Sequence, residues 1–326
     1  MSARRAFLGT VAGGLLIAPR AGRAQQARSV PVIGILHDRP AGPSGAIKAV
    51  QEGLYKLGYV QGQTIAFEVR FGGGRREALP TLARDLVLRK VVVFVAIGPA
   101  ALRAAKDATD TEPIVAIDLE TDPVAAGYAR SLARPGGNVT GLFLDQPGLT
   151  GKWLELIRTA VPGVSRVALL RDPTTGPWQL DAAKAAAQQL GMDMLILEVN
   201  YATNFDEVLR AATKARSQAL LQLGSPAIEQ NAKRIAELAL KHALPAISPF
   251  RVFAEVGGIM SYGVDQMEYY QEACVYVDKI LKGAKPGELP IEQPTRFIFI
   301  INLKTAKVLR LSLSPSLVAR ADRIIE

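Results

Sequence analysis

Val32-Ile33-Gly34-Ile35-Leu36-His37-Asp38 is echoed later in the chain by Arg166-Val167-Ala168-Leu169-Leu170-Arg171-Asp172. Each is a short apolar run that ends in a basic residue and an Asp. An amphipathic stretch closing in Leu-Gly follows each one (Leu57-Gly58 and Leu190-Gly191). A second strand pattern then comes at 64–71 in the first half and 194–199 in the second, followed by charged helical patterns at 77–89 and 205–216. A third apolar run ends in Gly98 or Gly224, and a helix and a fourth run (113–119 and 245–248) complete each unit. Strands alternating with helices of this size predict βαβ units with right-handed crossovers. Two such units predict two parallel sheets with a ligand cleft between them.

The strand assignments rest on length and flanks. Val91-Val92-Val93-Phe94-Val95-Ala96-Ile97 is continuous, β-branched and stopped by Gly98-Pro99, as suits a parallel strand covered on both faces. Ala182-Ala183-Lys184-Ala185-Ala186-Ala187-Gln188-Gln189-Leu190 consists of strong helix formers and stops at Gly191, a favourable C-cap residue. Arg134-Pro135-Gly136-Gly137-Asn138 is a turn signal between the units. The tail after Ser248 does not repeat: a strand over 257–263, a helix around 268–282, a Pro-rich connector (Pro286, Pro290, Pro294) and a strand over 296–301 read as chain crossing back between domains.

The N-terminus reads as an export signal. Arg4 and Arg5 precede an uncharged run from Ala6 to Ala18, and small residues lead to a cleavage site after Ala24. The run is shorter than the roughly 20 apolar residues of a membrane span. Arg4-Arg5-Ala6-Phe7-Leu8 is similar to a twin-arginine motif, although Ala3 and Gly9 depart from it, so the export route stays open. Removing residues 1–24 takes away four arginines and no acidic residue, so the formal charge falls from +9 to +5. No basic block or aromatic-basic stripe points to nucleic acid. Cys274 is the single cysteine, which excludes an intramolecular disulfide.

Several stretches together resemble a known family. They are Gln25-Gln26, Gly58-Tyr59-Val60-Gln61-Gly62-Gln63, Arg134-Pro135-Gly136-Gly137-Asn138-Val139-Thr140-Gly141, Gly258-Ile259-Met260-Ser261-Tyr262-Gly263, Leu281-Lys282-Gly283-Ala284-Lys285-Pro286 and Ile301-Asn302-Leu303-Lys304-Thr305-Ala306. The chain resembles the ABC-transporter substrate-binding proteins related to tryptophan/tyrosine importers. The resemblance implies an α/β protein of two Rossmann-like lobes with parallel sheets, the type I periplasmic-binding-protein architecture with three crossovers. It implies a lobe 1 of residues 30–140 plus 262–292 and a lobe 2 of residues 141–261 plus 293–326, behind a signal peptide of residues 1–24. It also implies a periplasmic receptor that delivers a small solute to an inner-membrane ABC permease. A monomer and no cofactor are expected.

Ligands of open α/β sheets bind beyond the carboxyl ends of the strands, here the loops 37–45, 98–101, 118–123, 172–178, 224–227 and 249–253. His37 and Asp38 end the first repeat strand and Asp172 the second; the two aspartates are ligand contacts or helix caps. Asp172-Pro173 stands where relatives commonly carry Asn-Pro. Gly98 and Gly224 precede helix starts, where free N–H groups favour a carboxylate; the alternative is a tight turn. Pro99 and Ala100 offer no hydroxyl where relatives carry Ser or Thr beside this glycine, whereas Ser225 does offer one after Gly224. Asp118, Glu120 and Asp122 gather at one strand end; Asp122 matches a family motif and either meets ligand or caps the next helix. Phe143, Trp178, Phe250, Phe253 and Tyr262 are the nearby aromatics, with Trp178 either stacking on a flat ligand or packing on its own lobe. Ser261 and Tyr262 lie near an expected crossover, and Arg251 either forks onto a ligand carboxylate or is an ordinary surface arginine.

Motifs of catalysis are absent: no G-x-S-x-G, no Walker loop and no G-x-G-x-x-G after a strand. His37 and His242 are the only histidines, and with one cysteine they assemble no ordinary zinc site. The expected function is a periplasmic receptor that closes on an amino acid or an aromatic or aliphatic carboxylate. The alternative is an exported sensing domain for a membrane signalling kinase.

Overall fold

The computed structural model describes residues 30–118, 121–144 and 146–326. The expected signal peptide and Glu120 lie outside the described residues. The first unit runs β1 (Val32–His37), α1 (Gly45–Lys56), β2 (Ala66–Phe71), α2 (Leu79–Leu88), β3 (Val93–Ile97), α3 (Pro99–Ala108), β4 (Ile114–Asp118) and β5 (Val139–Phe143). The second runs α4 (Gln146–Ala160), β6 (Arg166–Arg171), α5 (Trp178–Gln189), β7 (Asp193–Glu198), α6 (Phe205–Lys214), β8 (Ala219–Gln222), α7 (Pro226–Gln230), α8 (Ala232–Lys241), β9 (Ala246–Ser248), α9 (Arg251–Glu255) and β10 (Met260–Gly263). The tail adds α10 (Gln266–Leu281), β11 (Ile298–Asn302), α11 (Leu303–Val308), α12 (Pro315–Val318) and β12 (Arg323–Ile325).

The repeat seen in the sequence is a repeat of topology. One sheet has the order β2-β1-β3-β4-β5 and the other the order β12-β11-β10-β9-β8-β6-β7. The same block, second strand beside first, then third and fourth, therefore occurs in both. All pairings are parallel except β10 with β11. Every residue of β3, β4 and β5 is buried, as expected where helices cover both faces of a parallel sheet. One face of the first sheet packs Ile33, Ile35 and Val95 against α1 and α10. The other packs Leu36, Phe94 and Ala96 against α2 and α3. The second sheet is sandwiched likewise, with Trp153 and Leu154 of α4 on one face and Leu209 of α6 with Ile235 of α8 on the other.

Two of the lobe boundaries expected from the resemblance fall inside strands. β5 spans the 140/141 boundary and pairs wholly with β4, through Ile114↔Val139 to Asp118↔Phe143. β10 spans the 261/262 boundary and stays in the second sheet. The reason lies in β5, whose sequence follows a turn signal and carries no long apolar run. Gly141 at φ +125° lies so near Ala116 that a Cβ would meet its carbonyl oxygen at 2.3 Å, so this strand can lie against β4 only with glycine there. After β10 the chain leaves the second sheet as α10, which packs along α1. It returns past β5, where Glu292 exchanges backbone hydrogen bonds with Phe143 and Gly141, and enters β11. Among the described residues, no helix is long and apolar enough to cross a membrane.

Candidate functional site

The carboxyl ends of β1, β8 and β9 face one another across a cavity of about 300 Å³. His37 and Arg39, just past β1, form one wall with the start of α1. Pro226, Glu229 and Gln230 of α7 and Arg251, Val252 and Glu255 of α9 form the opposite wall. Asp265, Gln266, Met267 and Tyr270, at the start of α10, close the side. A smaller void shares His37, Pro226, Glu229, Gln266 and Tyr270 with it and adds the apolar surfaces of Ile97, Ile117 and Phe250. Both sheets therefore contribute residues to one cleft, with charged and apolar side chains lining it together.

The cavity's charges are unequally satisfied. Arg251 is held by Asp265, 2.7 Å away, and approaches Glu255 at 3.5 Å. Asp265 also caps α10 by accepting from the Met267 N–H at 3.0 Å. The Arg39 guanidinium has its Nε buried without a partner, and no carboxylate among the described residues pairs with it. Burial pushes the Glu229 carboxyl up from its ordinary value, against the opposing effects of Gln266 and Arg39. Among the described residues, no group of three or more His, Cys, Asp or Glu side chains is placed to hold a metal ion.

Beside the cavity the two units touch. His37 Nδ1 lies 3.1 Å from Asp38 Oδ1, and the Tyr201 hydroxyl, from the loop after β7, donates to the same oxygen at 3.3 Å. The Tyr201 ring covers Gly74 so closely that a Cβ there would meet it at 2.7 Å. Burial and the Asp38 charge push the Tyr201 phenol well above its ordinary value, which keeps it a donor. Asp172 is buried in the second unit, where burial raises its carboxyl despite hydrogen bonds from Thr174 and Ser225.

A family profile described as "ABC transporter substrate binding protein" matches residues 35–325. The chain belongs to this family. A relative, the tyrosine-binding protein of Clostridioides difficile (strain R20291), is 23% identical over 271 residues, covering 81% of this chain and 75% of that protein. Among solved structures, an ABC domain in complex with L-Trp from Streptococcus pneumoniae aligns with a TM-score of 0.82 at 24% identity, over 91% of this chain and 100% of that one. A conserved domain protein from Vibrio cholerae O1 biovar El Tor aligns with the same TM-score at 23% identity, over 90% and 99%. The fold is the type I periplasmic-binding fold, and the chain is a substrate-binding protein of the ABC-transporter type.

In this substrate-binding protein the residues expected at the cleft part company. His37, Gly98 and Phe250 line the connected cavities, and Asp38 stands directly behind His37. Gly224 is turned away from ligand duty: Gln179 accepts its N–H at 2.9 Å and donates to its carbonyl at 3.2 Å. Ser225 is spent as a cap, its hydroxyl accepting from Ile228 N at 3.1 Å. At the other helix start, Pro99 has no N–H to give, Ala100 packs into the core, and Pro226 lies over Gly98. Asp122 is exposed and caps its own turn, accepting from Val124 N at 2.8 Å and Ala125 N at 3.1 Å. Asp172 likewise accepts from Thr174 N at 2.9 Å.

The aromatics mostly serve packing. Phe143 is wholly inside the first unit's core, and Trp178 folds back over Gly176 instead of reaching the cavity. Tyr262 stacks on Phe297 with ring centres 5.8 Å apart and accepts a hydrogen bond at its carbonyl from the Trp153 indole at 2.7 Å. Ser261 is buried with its hydroxyl unpartnered, as are both polar ends of Gln222 two strands away in the same sheet. Arg39, Glu229, Gln266 and Tyr270 line the cavity without having been singled out. Arg39 was within reach of sequence reasoning, since it lies two residues past the first strand in a loop already assigned to the cleft.

Proposed function

We propose that this protein is the periplasmic receptor of an ABC importer, closing two lobes on one small carboxylate-bearing solute and delivering it to an inner-membrane permease. The observation that carries the reading is the cleft of about 300 Å³ walled by the strand ends of both sheets. A solute touching both walls stabilises the closed arrangement by its differential affinity for it, and the permease can then recognise that arrangement. The tyrosine-binding and L-Trp-bound relatives support an amino acid or an aromatic carboxylate as the solute class. The basic, uncharged and small-residue segments of residues 1–24 support export. The lobes are then a first unit through β5 with α10 packed on it, and a second from α4 to β10 with β11 and β12.

Thermal denaturation of the chain from Gln25, with amino acids, aromatic acids, purines and sugars in turn, tests this. A ligand that binds only the folded state at about 100 times its Kd adds about 2.7 kcal/mol of stability. A large shift with one class, with the ligand recovered unchanged, is the expected result. Chemical conversion of a ligand, or no shift with any class, would count against a receptor.

A further inference from the structure

We propose that Arg39 is the anion anchor of this cleft, so that the solute must present a carboxylate to the wall built by β1. The inference rests on the receptor reading and deepens it. It starts from an imbalance between two arginines in one cavity. Arg251 has its carboxylates, Asp265 at 2.7 Å and Glu255 at 3.5 Å, and is thereby fixed. Arg39 lines the same cavity with a buried, unpartnered Nε and with no ion pair among the described residues. A guanidinium cannot shed its proton at physiological pH, so the half-buried Arg39 stays charged. Its Nε is cut off from water, and a buried N–H left without an acceptor is costly.

The cavity's remaining carboxyl does not meet it. Glu229 forms no ion pair with Arg39, and its burial favours the neutral acid. Three of the anion-binding groups expected at the strand ends are also taken or lacking. Gly224 gives its N–H to Gln179, Ser225 caps its own helix, and Pro99 stands at the first position of α3. Among the described residues, Arg39 is thus an arginine that lines the cavity without an ion pair, and its planar fork matches a carboxylate bidentately. A positively charged anchor on the first unit, with α7 and α9 of the second unit opposite, makes the anion itself the group that draws the lobes together.

Isothermal titration of the chain from Gln25 tests this with matched pairs: L-tyrosine and L-tyrosinamide, L-tryptophan and L-tryptophanamide, indole-3-acetate and its amide, hexanoate and hexanamide. The expected result is that at least one acid binds and its amide binds far more weakly. Arg39→Ala then weakens that acid by about 10- to 150-fold, the range for a hydrogen bond to a charged group, and brings acid and amide together. Arg39→Lys keeps part of the preference. Because Arg39 makes no ion pair among the described residues, Arg39→Ala should leave the Tm measured without added solute unchanged or raised, which separates lost binding from lost folding. Acid and amide binding equally, or Arg39→Ala leaving acid affinity intact, would overturn the anchor. A protein that binds purines or sugars and no acid also overturns it while leaving the receptor reading standing; binding of no solute overturns both.

Discussion

Tyr201, from the second unit, donates its hydroxyl to Asp38 at the end of β1 across 3.3 Å, with its ring seated on Gly74. This bond joins the two units beside the cavity. A hydrogen bond of this kind contributes about 1 kcal/mol net, equivalent to about a fivefold shift in a two-state equilibrium. Tyr201→Phe should therefore weaken solute binding about fivefold and enlarge the ligand-free radius of gyration measured by small-angle scattering. Unchanged scattering and affinity would show that closure does not depend on this bond.

Gly53 is required where α1 meets α10. A Cβ at this position would lie 2.6 Å from Cys274 Sγ and 3.3 Å from the Gln271 Cα. Overpacking of this kind costs about 1–3 kcal/mol, and a chain of this size loses roughly 2–4 °C of Tm per kcal/mol. Gly53→Ala should lower Tm by several degrees. Adding Cys274→Ala should restore part of the loss by removing the sulfur, but not all of it, because the Gln271 backbone remains. Additive effects of the two substitutions would refute the contact.

Cys274 should be chemically silent in the native state. It is fully buried, donates towards the Val50 carbonyl at 3.2 Å, and burial pushes its thiol up to about 12. Thiolate is the reactive form. Iodoacetamide at pH 8 should leave the native protein unmodified over hours by mass spectrometry and label it promptly in denaturant. Native labelling at a comparable rate would contradict this burial.

Glu229 should impose a pH dependence on ligand-free stability. Its folded value lies above the ordinary carboxyl value of about 4.3, so between those two values the folded state holds more protons than the unfolded one. Stability from this group is full below the ordinary value and is lost as pH rises through the raised one. Other carboxyls, such as Asp278 held down by Lys282 and Tyr59, act in the opposite sense. The test is therefore the difference between proteins: Glu229→Gln should gain Tm over wild type as pH rises from 4 to 8. A constant difference across that range would be evidence against a raised Glu229.

The repeated units were legible because their order is written locally. Continuous runs such as Val93–Ile97 and helix formers stopped by Leu-Gly specify strand and helix from neighbours alone, and two copies in one order imply two sheets. β5 was missed because its identity depends on a glycine fitting against Ala116, a contact between segments. The cleft was legible as a set of strand-end loops, since parallel topology sends all those ends to one side. Which residues in those loops face the cavity was decided only by tertiary structure. Gly224 was withdrawn by Gln179 and Trp178 by its own turn, whereas Arg39 was left without a partner. A polar group's availability depends on whether a distant side chain has already satisfied it, and only the folded chain brings that side chain into place.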